Sequence, residues 1–102
     1  MNKNPAEFFE GLPGAELVVR GLANLTASEF TEEALLVLVA APRLRRLGIV
    51  ISEISVQRPF EHRLYELLEE RYGHDAYSRY NSLLRRIISF SRALERERAA
   101  KS

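Results

Sequence analysis

Apolar positions recur at helical spacing along most of this chain, and one segment departs from that pattern. The most marked run is residues 31–41, TEEALLVLVAA. Thr31 can cap a helix there, and Glu32 and Glu33 precede eight consecutive apolar residues, 34–41. A hydroxyl at the cap accepts from a first-turn backbone N–H, and acids in that turn offset the positive end of the helix dipole. A helix that is apolar on every side has to be surrounded, either by its own chain or by a partner subunit. Pro42 should kink this helix or begin a new turn, because its ring clashes with the carbonyl four residues back. Gly48 supplies a left-handed stop.

Two helical segments precede this run. NPAEFFEG, residues 4–11, has a proline after a potential cap, then acids, then Gly11, which predicts a short first helix. Residues 13–27 place Leu17, Val18, Gly21, Leu22 and Leu25 at helical spacing. Gly21 there either costs about 1 kcal/mol or marks a point of close packing. IVISEISVQ, residues 49–57, is rich in β-branched side chains and is the one candidate strand. A lone strand has nothing to pair with unless another chain supplies it, so an extended connector is expected.

RPFEHRLYELLEERYG, residues 58–73, predicts a helix with Phe60, Leu64, Leu67, Leu68 and Tyr72 on one stripe. His62, Glu66, Glu69 and Glu70 lie opposite. The longest helix is expected over residues 75–98. In it Tyr77, Tyr80, Leu84, Ile87, Ser91 and Leu94 alternate three and four apart, as in a coiled-coil seam. Ala76, Leu83 and Phe90 widen the stripe on one side and Ile88 on the other. The apolar sector spans roughly 160°, against about 100° for an ordinary surface helix. Together these patterns predict an all-α fold: one domain, residues 1–102, built as a compact bundle of four or five helices with a long C-terminal helix.

Composition narrows the function classes. The chain has 102 residues, 46% of them apolar, and a formal charge of only +1. No bulk field of either sign steers it toward a polyanion or a membrane. There is no cysteine, which removes thiolate nucleophiles and cysteine zinc sites and suits a reducing compartment. The start lacks the pattern of a signal peptide. The longest apolar run, eight residues, falls far short of the roughly 20 that span a bilayer. A soluble cytoplasmic protein without a membrane partner is therefore expected.

The charge lies in blocks. Residues 61–75 carry two arginines against five acids, whereas residues 76–102 carry seven basic residues against two glutamates. At 100° per residue, Ser78, Ser82, Arg85, Ser89, Arg92 and Arg96 form one face of the last helix, opposite its apolar seam. No acid occurs between Arg79 and Leu94. A solvated face ordinarily mixes glutamate with its cations and gains from i,i+4 pairs. Small serines between guanidinium forks leave room for carboxylate or phosphate. Three expectations compete for this face: pairing with the glutamate row of residues 61–70 in the same chain or a symmetry mate, plain solvation, or binding to a nucleic acid or another anionic partner.

A second basic group, Arg43, Arg45 and Arg46, follows the apolar run. Its simplest role is to offset the carboxyl end of that helix. Its sharper role is auxiliary phosphate contact, although the helix that follows is acidic along its outer face. His62 and Glu66 stand one turn apart, as one half of a bundle metal site would, yet they point outward and no second pair accompanies them. Tyr65, Tyr72, Tyr77 and Tyr80 gather around Gly73 as a hydrophobic hinge whose hydroxyls reach water, with a base-stacking platform as the alternative. No Ser–His–acid set or glycine-rich phosphate loop is present. The sequence names no catalytic residue, metal site, cofactor or small-molecule substrate.

The function these patterns predict is a non-enzymatic helical interaction module, a homodimer or a subunit of a larger complex. Its oligomer interface would use Leu36, Val37, Tyr80, Leu84, Ile87, Ile88 and Leu94. The alternative is a nucleic-acid-binding regulator that uses the Arg/Ser face, with Arg43, Arg45 and Arg46 in support.

Overall fold

Thr31 starts the helix around which the rest of the chain is arranged. In the computed structural model, which describes Phe9, residues 11–54 and residues 59–101, the Thr31 hydroxyl accepts from the Ala34 N–H at 3.2 Å. It also donates to Asn24 Oδ1 at 2.6 Å. One side chain thus caps this helix and ties it to the preceding one, a cap of this kind being worth about 1 kcal/mol. In chain order the helices are α1 (Ala15–Thr26), α2 (Glu32–Arg46), α3 (Phe60–Tyr72) and α4 (Ala76–Lys101), with a single 3-10 turn (Gly73–Asp75) between the last two. The fold is all-helical and compact, with no strand among the described residues. No helix among them is long and apolar enough to cross a membrane.

α2 packs against α1, α3 and α4. Ala34, Leu35, Leu36, Val37, Leu38, Ala41 and Leu44 are all buried. The covering that an all-round apolar helix needs is thus supplied by its own chain. This corrects the expected interface: Leu36, Val37, Ile87 and Leu94 are core residues of a single chain and present no surface to a second one. Leu17 and Val18 come in from α1, Leu64 and Leu68 from α3, and Ala76, Leu83 and Phe90 from α4.

Pro42 does not break α2, which runs on through it to Arg46. The ring lies on the exposed side, where the amide it lacks leaves the Leu38 carbonyl without its usual helical donor. The helix ends at Arg46, two residues before the glycine expected to stop it. Gly48 adopts φ 94°, its N–H reaches the Arg45 carbonyl at 3.0 Å, and the Ile49 N–H reaches the Leu44 carbonyl at 3.0 Å. This is the Schellman pattern, and Ile49 and Leu44 are both buried in the core.

Beyond it the chain runs without regular structure to Ile54, with Ile49 and Ile51 turned inward and Val50 92% exposed. The expected connector is present over these residues, and its continuation through residue 57 lies outside the described ones. The short first helix expected over residues 4–11 also lies outside them, apart from Phe9 and Gly11. The Phe9 ring meets Phe90 edge-on at 5.2 Å.

α4 buries Ala76, Leu83, Ile87, Phe90, Ser91 and Leu94. The seam read from the sequence is thus rotated: Tyr77 is 65% exposed and Ile88 41%, with Tyr80 and Leu84 half-buried. Because the apolar sector is wider than its neighbours cover, one of its edges stays in solvent. Buried Ser91 donates to the Ile88 carbonyl at 2.9 Å and so adds no unsatisfied group.

Gly21 is a close-packing point. A Cβ there would stand 2.5 Å from both the Glu33 carbonyl oxygen and Val37 Cγ2. Gly21→Ala should therefore destabilise the chain by about 1–3 kcal/mol through overpacking, although alanine favours the helix itself by about 1 kcal/mol. Urea unfolding followed by circular dichroism checks the sign, and a stabilised variant would show that α1 and α2 can separate at little cost.

Candidate interaction surface

The two basic groups have different fates. Arg43 donates from Nη2 to Glu95 Oε2 on α4 at 3.2 Å. Arg45 donates from Nε to the Ile51 carbonyl at 2.9 Å and from Nη2 to the Ser52 carbonyl at 3.1 Å. It thereby holds the connector against the end of α2 and satisfies carbonyls that no strand pairs. Arg46 is exposed and has no partner among the described residues. Two of these three arginines are therefore engaged within the chain, in contacts that sequence alone did not indicate.

On α4, Arg85, Ser89, Arg92 and Arg96 are exposed and Ser82 is half-buried. Helical rise puts Arg92 about 10.5 Å beyond Arg85 and Arg96 about 6 Å further on. None of the three has a carboxylate partner among the described residues, so the expected in-chain pairing with the glutamate row of residues 61–70 is not formed there. The arginines on the flank behave differently: Arg86 forms an ion pair with Glu16 and Arg79 with Glu32 at 3.7 Å. An open cleft of about 400 Å³ runs beside the face, between Pro13, Gly14 and Glu16 on one wall and Ser82, Arg85 and Ser89 on the other.

The side chain that organises the turn end of the molecule is Glu32, which in the sequence shows only as a complement to the helix dipole. Its carboxylate is buried and accepts from Arg71 Nη1 at 2.9 Å and from the Tyr72 hydroxyl at 3.0 Å, with Arg79 as a second cation. The Arg79 guanidinium also lies over the Tyr72 ring at 5.1 Å. The only signal in the sequence was a cluster of arginine and tyrosine around Gly73, with nothing to say which acid would reach it. Tyr72 thus turns its hydroxyl to a carboxylate, where water had been expected.

Of the other tyrosines, Tyr65 and Tyr80 meet edge to face at 5.6 Å. Burial, and secondly the charge of Glu61, raises the Tyr80 hydroxyl above the usual tyrosine pKa of 10.0. Tyr77 is the most exposed of the four. His62 and Glu66 are both exposed, and no three metal-binding side chains converge among the described residues.

Glu32→Gln keeps the shape but removes the charge that two cations and a phenol share. With Arg71 and Arg79 about half exposed, the expected loss is about 1–3 kcal/mol, read by denaturant unfolding; no loss would make the cluster incidental. Tyr80 supplies a pH test. Since its folded pKa is raised, its contribution is fully present below the unfolded value and is lost as pH rises through the folded one. Tyr80→Phe should flatten the fall in stability above about pH 10 relative to the parent chain, and parallel curves would remove Tyr80 from that fall.

Comparison of the chain with protein-family models, with curated proteins and with solved structures finds no match.

Proposed function

We propose that this chain is a non-enzymatic helical interaction module, cytoplasmic in location, that docks an anionic partner surface along the Ser82–Arg85–Ser89–Arg92–Arg96 face of α4. The observation that carries this reading is how the arginines sort. Arg20, Arg43, Arg71, Arg79 and Arg86 face carboxylates of the same chain, Arg45 holds carbonyls and Arg63 lies over Phe30. Arg85, Arg92 and Arg96 have no such partner among the described residues. Guanidinium groups aligned on one rigid helix are pre-organised for carboxylate or phosphate.

A protein partner fits better than a nucleic acid. The auxiliary phosphate contacts proposed for Arg43 and Arg45 are already engaged, and the exposed acids of α3 would repel a duplex. A nucleic-acid ligand would show itself by an affinity that falls steeply with salt, by about one power of salt concentration for each phosphate neutralised.

Heparin-agarose serves as a polyanion probe. Arg85→Ala with Arg92→Ala should elute at clearly lower salt than Arg20→Ala with Arg63→Ala, which removes the same charge elsewhere. Equal shifts for the two pairs would overturn the reading.

A further inference from the structure

α3 accompanies α4 along only its first half. Tyr65 meets Tyr80, and Arg71 and Tyr72 share Glu32 with Arg79, so the two helices run antiparallel. Phe60, the start of α3, falls near the level of Arg85, and α4 continues for about four more turns past that level. On this stretch Ile88 is exposed. Arg85 stands three positions before it and Arg92 four after it, each one turn away on the same strip. Arg96 follows one turn beyond Arg92. An exposed apolar side chain is thus bracketed by guanidinium groups that have no carboxylate partner among the described residues.

Across the strip the surface changes character. At 100° per residue Tyr77, Leu84 and Ile88 form the edge nearer to Tyr80 and so to α3, and α3 exposes Glu61 and Glu69. Arg85, Arg92 and Arg96 form the other edge, beside the cleft lined by Pro13, Ser82 and Ser89. An acidic flank, an apolar edge and a basic row therefore lie side by side. A nucleic acid would gain from the row alone, meet repulsion from the flank and leave Ile88 in water. A helix with an apolar stripe and acids along one edge of that stripe answers to all three.

Resting on the reading of α4 as a docking face, we infer that its partner is an acidic amphipathic helix of another protein, laid along the second half of α4. An apolar side chain of that helix covers Ile88. Carboxylates one turn to either side of it meet Arg85 and Arg92, and another meets Arg96. The row from Arg85 to Arg96 is about 16 Å long, which about three turns of a partner helix span. Guanidinium forks hold carboxylates by charge-assisted hydrogen bonds. Glu61 and Glu69 repel the partner's acids from the other side, so they set its rotation as well as its register. Ser89, between Arg85 and Arg92 and also exposed, leaves room for the partner backbone at the near end of the usual interhelical distances, about 8 Å.

The test uses the full chain and a fluorescently labelled synthetic peptide of about three heptads, with leucine along one stripe and glutamate along one edge of it. Two control peptides replace the glutamates by glutamine or interrupt the helix with a central proline. Anisotropy titration should show the acid-edged peptide binding at least about tenfold more tightly than either control. Ile88→Ser, and separately Arg85→Ala with Arg92→Ala, should each weaken it by about tenfold, with circular dichroism confirming that the helices persist. Ile88→Ser should leave heparin retention unchanged. Equal binding of the three peptides, or an affinity indifferent to Ile88→Ser, would overturn the helical partner. So would tighter binding of a duplex oligonucleotide of the same net charge, or a two-chain parent mass that Ile88→Ser halves. If the peptide fails while heparin retention still depends on Arg85 and Arg92, the anionic docking face stands and only its helical partner is removed.

Discussion

The burial of α2 is the constraint on which the rest of the structure depends. Eight consecutive apolar residues on a helix leave no side that tolerates water, and each large side chain left exposed forfeits about 1.5–3 kcal/mol of transfer free energy. α1, α3 and α4 each take one side of α2, and the close approach of α1 at Gly21 lets this happen in a chain of 102 residues. With α2 covered, little apolar surface remains for other purposes, and the surplus is confined to one edge of α4 and to scattered side chains such as Val50 and Phe30.

The polar contacts secure the ends of that arrangement. At one end Glu32 gathers Arg71, Tyr72 and Arg79, joining the start of α2 to the α3–α4 turn. At the other, Arg43 reaches Glu95 and Arg45 holds the connector carbonyls. A buried carboxylate needs partners to repay its desolvation, which gives Glu32 a defined geometry. The exposed pairs contribute less to stability. Once these pairs are made, the arginines left over are Arg46 at the end of α2 and, among others, Arg85, Arg92 and Arg96, which lie together on the outer face of α4, and a near-neutral chain presents a basic strip there.

Much of the fold was legible in the sequence because its signals act over a few residues. Thr31 and Gly48 announce the start and end of α2 through hydrogen bonds within one turn. Pro59 and Gly73 bracket α3, and the serine and arginine spacing of α4 marks its outer face. Pro42 shows the limit of such reasoning: its local cost is real, yet burial of Ala41 and Leu44 on either side of it outweighs one lost backbone hydrogen bond.

By itself, then, the sequence determined the helical character of the chain, the caps of α2 and the polar outer face of α4, since propensity, capping and periodicity depend on neighbours within about four positions. Tertiary structure decided which part of α4's wide apolar sector is core. It selected Leu83 and Phe90 and left Tyr77 and Ile88 at the surface, because α1, α2 and α3 fill only one side of that sector. It also decided that Arg43 and Arg45 are engaged within the chain while Arg85, Arg92 and Arg96 face solvent. Glu95 lies 52 positions from Arg43, and the connector carbonyls that Arg45 holds belong to another segment, so only packing makes these contacts.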